Sequence, residues 1–252
     1  MKQEVRDRLI EGAAALGIAL DTAKMQQVES LSILLQDANQ QLNLTALQDE
    51  EEIAVKHFLD SWTCSTLIDR SGRLVDIGAG AGFPGLALKI IHPDLEVTLV
   101  EAVQKKVRFI DTCIKTLNLK GAQVVIGRAE ELGRLPKWRE SFDFATCRAV
   151  GHLALIAEYC IPLLKVNGYL IAQKGKEGLK ETKEAEEGIK LLGGQVQDIH
   201  RISLPGLEGH CLIRIKKNTK TPERFPRRTG IPRKRPLVSK EWASSLRKSM
   251  LK

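Results

Sequence analysis

The chain has 252 residues, 43% of them hydrophobic, and a formal net charge of +8. That length suits one α/β domain with an appendage and a substantial core. No apolar run reaches transmembrane length and the N-terminus lacks a basic-then-apolar signal pattern, so a soluble cytoplasmic protein with no membrane partner is expected. Cys64, Cys113, Cys147, Cys160 and Cys211 form no Cys-x-x-Cys pair and no zinc spacing, and the histidines do not cluster. Reduced, buried thiols and no metal follow.

In chain order, Val5, Leu9, Ile10 and Ala13 to Leu16 space as one helical face ending near Gly17. Asp21 is placed to cap a second helix carrying Met25, Val28, Leu31, Leu34 and Leu35. Asn39 to Thr45 reads as a polar turn. The acidic run Asp49 to Glu52 suits a third helix start, leading to His57 and Trp62. Residues 1–70 are therefore expected to form a helical cap, 71–216 the main domain and 217–252 a basic, proline-rich tail.

The main domain alternates. Strands are predicted at 73–77, at 96–100 ending on Glu101, at 122–126, at 143–146 running to Arg148, and at 169–173. Helices are predicted at 103–118, 152–160 and about 178–191, then two strand-like runs at about 195–204 and 209–216. This alternation implies a mostly parallel sheet with helices on both faces, closed by an antiparallel hairpin. Beyond it, Pro222, Pro226, Pro232 and Pro236 exclude regular structure until a short helix at about 239–250.

The most informative stretch is Leu74 to Gly85, an apolar run, an acid, a glycine-rich turn and a helix start. Such a turn lets backbone approach a ligand, and the helix start offers unpaired N–H groups. Gly80-x-Gly82-x-x-Gly85 fits a dinucleotide site, a weak signal alone. Asp76-x-Gly78-x-Gly80-x-Gly82 instead resembles the first motif of class I S-adenosylmethionine-dependent methyltransferases. The acid before the glycines and the closing hairpin favour the methyltransferase over an NAD-binding oxidoreductase. A third alternative is an RNA-binding protein with a degenerate cofactor site.

In open α/β sheets ligands lie beyond the carboxyl ends of the strands. Glu101 ends the second predicted strand, where an acid accepts ribose hydroxyl protons. Ala129 and Glu130 follow the third, where adenine would lie, and Arg148 follows the fourth. For Arg148 a surface ion pair is the plain alternative. Cys147 reads as a small buried residue rather than a nucleophile. No cysteine follows a proline, and no Pro-Pro-aromatic motif follows the fourth strand, which favours a substrate atom that is already nucleophilic.

The charge is uneven. Residues 216–252 hold 13 basic and 2 acidic side chains, a net +11, while 1–215 hold 26 and 29, a net −3. Clustered cations suit a polyanion, because phosphate contacts release counterions. Arg227, Arg228, Arg233, Lys234 and Arg235 are the tail's candidates for RNA contact. Lys105 and Lys106 read as either a wet helix face or a second contact, and Lys174 as a neutraliser of substrate phosphates.

Together these residues resemble the RsmG (GidB) family of bacterial 16S rRNA guanine-N7 methyltransferases, over nearly the whole chain. The match is carried by residues 75–85 with their Phe-Pro-Gly extension, Asn43-Leu44-Thr45, His57 with Asp60-Ser61, Lys105-Lys106, Arg128-Ala129-Glu130, Arg148-Ala149, Lys174-Gly175 and the Arg227 to Leu237 segment. Glu101-Ala102 departs from the Asp-Ser of many relatives but keeps the acid. The resemblance implies S-adenosylmethionine contacts at Gly78, Phe83, Ala129, Glu130 and Arg148, and adds Asn43 and His57 to the RNA-contact candidates. It implies as substrate a guanine in the 530 loop of 16S rRNA, in the small subunit or an assembly intermediate, methylated by a monomer. N7 carries no proton, so no acid–base residue is assigned.

Overall fold

The computed structural model describes residues 1–69 and 71–239, which form two compact units. The first comprises Met1–Gly127 with Ile202–Gly209, and the second Arg128–Arg201 with the chain from His210 onward.

In the first unit, α1 (Gln3–Ala15) buries Val5, Leu9 and Ala13. Asp21 accepts from the Lys24 N–H and so caps α2 (Thr22–Leu42), which runs through most of the expected polar turn and ends on left-handed Asn43. Asp49 accepts from the Glu51 and Glu52 N–H groups and caps α3 (Glu50–Ile53). The chain continues through a π-helical turn (Ala54–Leu59) into α4 (Asp60–Thr63) and a 3-10 turn (Cys64–Leu67). Three parallel strands follow: β1 (Arg73–Ile77), β2 (Glu96–Glu101) and β3 (Ala122–Ile126). Between them lie α5 (Gly85–Ile91), buried on every side, and α6 (Gln104–Thr116), whose exposed face carries Lys105 and Arg108.

The second unit begins with α7 (Ala129–Leu132) and β4 (Phe142–Arg148). Then come α8 (Leu153–Cys160), β5 (Leu164–Lys174), α9 (Gly178–Leu191), β6 (Gly194–Arg201) and β7 (Cys211–Lys217). β4 and β5 are parallel, while β7 is antiparallel to both β5 and β6, which is the expected hairpin. The strand order is β3-β2-β1 within the first unit and β4-β5-β7-β6 within the second. β5 starts earlier than the sequence predicts: Leu164 pairs with Phe142 ahead of an irregularity in the ladder, and regular pairing with β4 resumes only at Tyr169, where the sequence places the strand.

The tail is more regular than its prolines suggest. A short helix α10 spans Ile231–Lys234, with Pro232 in its first turn, where a missing N–H costs nothing. The helix expected at about 239–250 falls outside the described residues except for Ser239, whose N–H donates to the Glu184 carbonyl (3.0 Å). Among the described residues no helix is long and apolar enough to cross a membrane, no group of side chains is arranged to hold a metal, and all five cysteines are buried free thiols.

Candidate active site

β1 delivers its chain into the turn 78–84, where Gly78, Gly80 and Gly82 have φ of 71°, 60° and 91°. These are left-handed values that side chains disfavour. The three nearby glycines do different work. A Cβ at Gly82 would strike the Leu86 side chain, and one at Gly85 would lie 2.8 Å from Leu99 Cδ2 and 2.9 Å from Asp76 Oδ2. A Cβ at Gly80 would meet nothing nearer than the Gly78 carbonyl, at 3.9 Å. Gly82 and Gly85 therefore allow close packing, while Gly80 faces open space.

The two acids also separate. Asp76 is fully buried, and its Oδ2 accepts from the Gly85 N–H at 2.8 Å, closing the turn from below. Glu101, at the end of β2, is 7% exposed. Its Oε2 accepts from the Gly80 N–H (3.0 Å), and its Oε1 from the N–H groups of Ala102 (2.8 Å) and Val103 (2.9 Å). The fold thus brings an acid 21 residues away in sequence onto Gly80, whose Cβ position faces open space.

The helical segment supports the turn from another side. Phe83 is buried and stacks on the His57 ring (4.6 Å between centroids, 12° between planes), with Phe58 edge-on at 5.3 Å. His57 Nε2 lies 3.0 Å from Thr45 Oγ1, and the Thr45 N–H donates to Asn39 Oδ1 (2.9 Å). Here His57 and Phe83 pack on one another. Asn43 is exposed, and Lys105 donates to the Leu42 carbonyl (2.7 Å), with Lys106 half-buried.

In the second unit, Ala129 and Glu130 open α7 and are both buried. Glu130 Oε1 accepts from the Gly230 N–H (3.0 Å). Burial, then the Glu130 carboxylate, push the Tyr159 hydroxyl up to about 12. Arg148 is half-buried at the end of β4, before left-handed Ala149 (φ 56°). Lys174 forms an ion pair with Glu181 (2.7 Å) and donates to the Gly151 carbonyl (2.8 Å), its side chain only 12% exposed. Arg227 is likewise engaged inside the fold. Its guanidinium grips Glu158 through Nε (2.9 Å to Oε1) and Nη2 (2.6 Å to Oε2), and Glu158 is fully buried. Arg228, Arg233, Lys234 and Arg235 stand exposed.

Sequence reasoning missed Glu158 as an anchor. The signal was available, because it is the single charge in the apolar run Leu153 to Leu164 and a buried acid requires a partner. Glu181 and Glu184 were not separable from the solvated acids around them on α9.

The model of the family described as GidB, rRNA small subunit methyltransferase G, matches residues 24–208. The chain belongs to this family. A ribosomal RNA small subunit methyltransferase G from Alkaliphilus oremlandii is 40% identical over 237 residues, covering 93% of this chain and 99% of the relative. Its counterpart from Roseiflexus sp. is 44% identical, over 92% and 99%. Among solved structures, a SAM-dependent methyltransferase from Aquifex aeolicus aligns with a TM-score of 0.53 at 16% identity, over 69% of this chain and 97% of that one. Another, a point mutant of MtNAS, aligns at 0.52 and 14% identity, over 78% and 75%. The fold is that of the class I S-adenosylmethionine-dependent methyltransferases, and membership of the G family makes the protein an rRNA methyltransferase. The oxidoreductase alternative falls with it.

Proposed function

We propose that this protein transfers a methyl group from S-adenosylmethionine to N7 of one guanine in the 530 loop of 16S rRNA, guanine-527 in the usual rRNA numbering. The observation that supports the reading most is the meeting of Glu101 with Gly80 at the mouth of the glycine turn. The residues fit the cofactor. Gly80 leaves room for a ligand against backbone, and Glu101 Oε2, which accepts a single N–H, keeps a lone pair for a ribose hydroxyl. Asp76 acts through the turn it closes, and Phe83, held by His57, walls it. Ala129, Glu130 and Arg148 are proposed cofactor contacts in keeping with the family motif.

The bound cofactor supplies an electrophilic sulfonium methyl. Guanine N7 has an in-plane lone pair and no proton to lose, so no side chain has to act as a base. What the chain contributes is position, holding the ribose through Glu101 and keeping water from the turn through the buried Phe58 and Phe83 rings, with half-buried His57 stacked on Phe83. An unstacked guanine is the form in which protein reads RNA most readily. The exposed cations Arg228, Arg233, Lys234 and Arg235 track its phosphates. We place this activity in the cytoplasm, with a monomer acting on the small subunit or an assembly intermediate.

The test is incubation with labelled S-adenosylmethionine and small subunits lacking the modification, followed by mapping of the methyl. Label at N7 of that one guanine is expected. Label on another base, or none on naked RNA, subunits or assembly intermediates, overturns the proposal.

A further inference from the structure

A cavity of about 310 Å³ lies between the C-terminal half of α2 and the segment that enters α3. Its volume is at the lower end of ligand pockets, roughly 300–1,000 Å³. Four carboxamides line it: Gln36, Asn39 and Gln40 from one face of α2, and Gln48 from the loop opposite. Leu35, Leu47 and Ile53 supply its apolar surface. Among the described residues no lysine, arginine or acid lines it.

The amides are available. Among the described residues no hydrogen-bond partner stands against the side chains of Gln36, Gln40 or Gln48. Asn39 is half used. Its Oδ1 accepts from the Thr45 N–H (2.9 Å), while Thr45 Oγ1 accepts from the Leu47 N–H (3.1 Å), so the opposing loop is fixed in place. The same Thr45 hydroxyl touches His57, which stacks on Phe83 of the glycine turn. One wall of the cavity is thus linked by direct contacts to the cofactor turn, and Lys105 stands at the end of α2 on the Leu42 carbonyl.

We propose that this cavity captures an unpaired nucleobase of the RNA substrate, distinct from the guanine that is methylated. The inference rests on the RNA methyltransferase reading and names a recognition subsite for it. Carboxamides present a donor and an acceptor together, which is the pattern on a base edge, and Gln or Asn pairs with such an edge in a bidentate way. The apolar walls suit the base faces. A phosphate would find no cation among the described lining residues, and an aliphatic ligand would make no use of the amide donors and acceptors. RNA loops are the partners that offer splayed, unstacked bases. Because Asn39 reaches the glycine turn through Thr45, His57 and Phe83, filling the cavity stiffens the element that carries the cofactor.

The test uses the full-length Gln36→Leu/Gln40→Leu double variant beside the unaltered protein. Binding is measured to a 530-loop RNA and to a set of the same RNA with one unpaired nucleotide at a time made abasic. The expected result is an RNA affinity lower by roughly tenfold, the size of one bidentate base contact. Melting temperature, S-adenosylmethionine affinity and the slope of log affinity against log salt should be unchanged, since no phosphate contact is lost. One abasic position other than the target guanine should weaken the unaltered protein by a similar factor and the variant not at all. Undiminished RNA affinity in a folded variant overturns the subsite, as does a loss that adds to every abasic change. If the unaltered protein neither binds nor methylates rRNA, the proposed function itself fails, and that outcome is read separately from the variant.

Discussion

Glu101 accepts three backbone N–H groups, so substitutions there have two separable effects. Glu101→Ala leaves those donors unsatisfied in a nearly closed site and should lower stability by about 1–3 kcal/mol, besides weakening the cofactor. Glu101→Gln keeps an acceptor. Its one oxygen can keep the Ala102 and Val103 N–H groups while its NH2 is set against the Gly80 N–H, so it should cost less stability than Glu101→Ala and still lose roughly 1.5–3 kcal/mol of S-adenosylmethionine binding, the range for a hydrogen bond to a charged group. Calorimetry and thermal melts on both variants separate the effects, and an unchanged affinity in the glutamine variant would remove Glu101 from the ribose. Gly80→Val is the companion experiment. The branched side chain would enter the open space above the turn at a φ of 60° and should abolish cofactor binding in a folded protein. Tyr159 gives a pH-dependent readout. Its hydroxyl is raised from 10.0 to about 12 by burial and then Glu130. A raised folded value means that its stabilising contribution is present below pH 10, and is lost as pH rises towards 12. Tyr159→Phe should flatten the fall of stability in that window, measured by denaturant titration at several pH values.

At the scale of elements, α9 fixes the start of α8. Glu181 accepts from the Leu153 N–H (2.6 Å) while pairing with Lys174, and Glu184 sits 2.8 Å from His152 Nε2, whose other ring nitrogen caps α8. The chain between Arg148 and His152 includes left-handed Ala149, so these contacts hold a turn that would otherwise relax. Lys174 has its ammonium in this network, which makes it an internal tie. Lys174→Met should therefore destabilise the protein by about 2–4 kcal/mol, as expected when one partner of a poorly hydrated pair is removed. The RNA salt slope should stay the same. A stable variant with a shallower slope would instead return Lys174 to the RNA surface.

At the scale of the molecule, the tail carries both charge and structure. Arg227 holds the fully buried Glu158, and Arg139 donates to the carbonyls of Thr221 and Phe225 (2.7 Å each). Deleting residues 217–252 would strip Glu158 of its cation and should destabilise the protein by at least about 3–5 kcal/mol. Truncation therefore confuses folding with RNA affinity. Charge reversal at Arg228, Arg233, Lys234 and Arg235, with Arg227 untouched, avoids the confusion, because all four are exposed. Each lost contact should remove roughly 0.7 from the log–log salt slope on single-stranded RNA, with cofactor affinity constant. An unaltered slope would move the RNA surface to Lys105, Lys106 and Arg108.

The sequence alone determined the alternation of strands and helices, the closing hairpin, the cap at Asp21, the acidic helix start at Asp49 to Glu52, and the glycine turn with its two acids. Each of these is local, set by the period of apolar residues, by a side chain reaching its own backbone, or by dihedrals that only glycine adopts freely. The tertiary structure decided which residue does which work. Glycines that look equivalent in sequence divide into packing positions at Gly82 and Gly85 and an open one at Gly80, because the division depends on what lies opposite. Basic residues that look equivalent divide in the same way: Arg227 is held by the buried Glu158 and Lys174 by the half-buried Glu181, while Arg228 and Arg233 stand exposed. Charge can be read from a sequence, but desolvation cannot, since it is a property of the neighbours that the fold supplies. The carboxamide cavity is of the same kind, with Gln48 brought opposite Gln36 and Gln40 only when the loop folds back on α2.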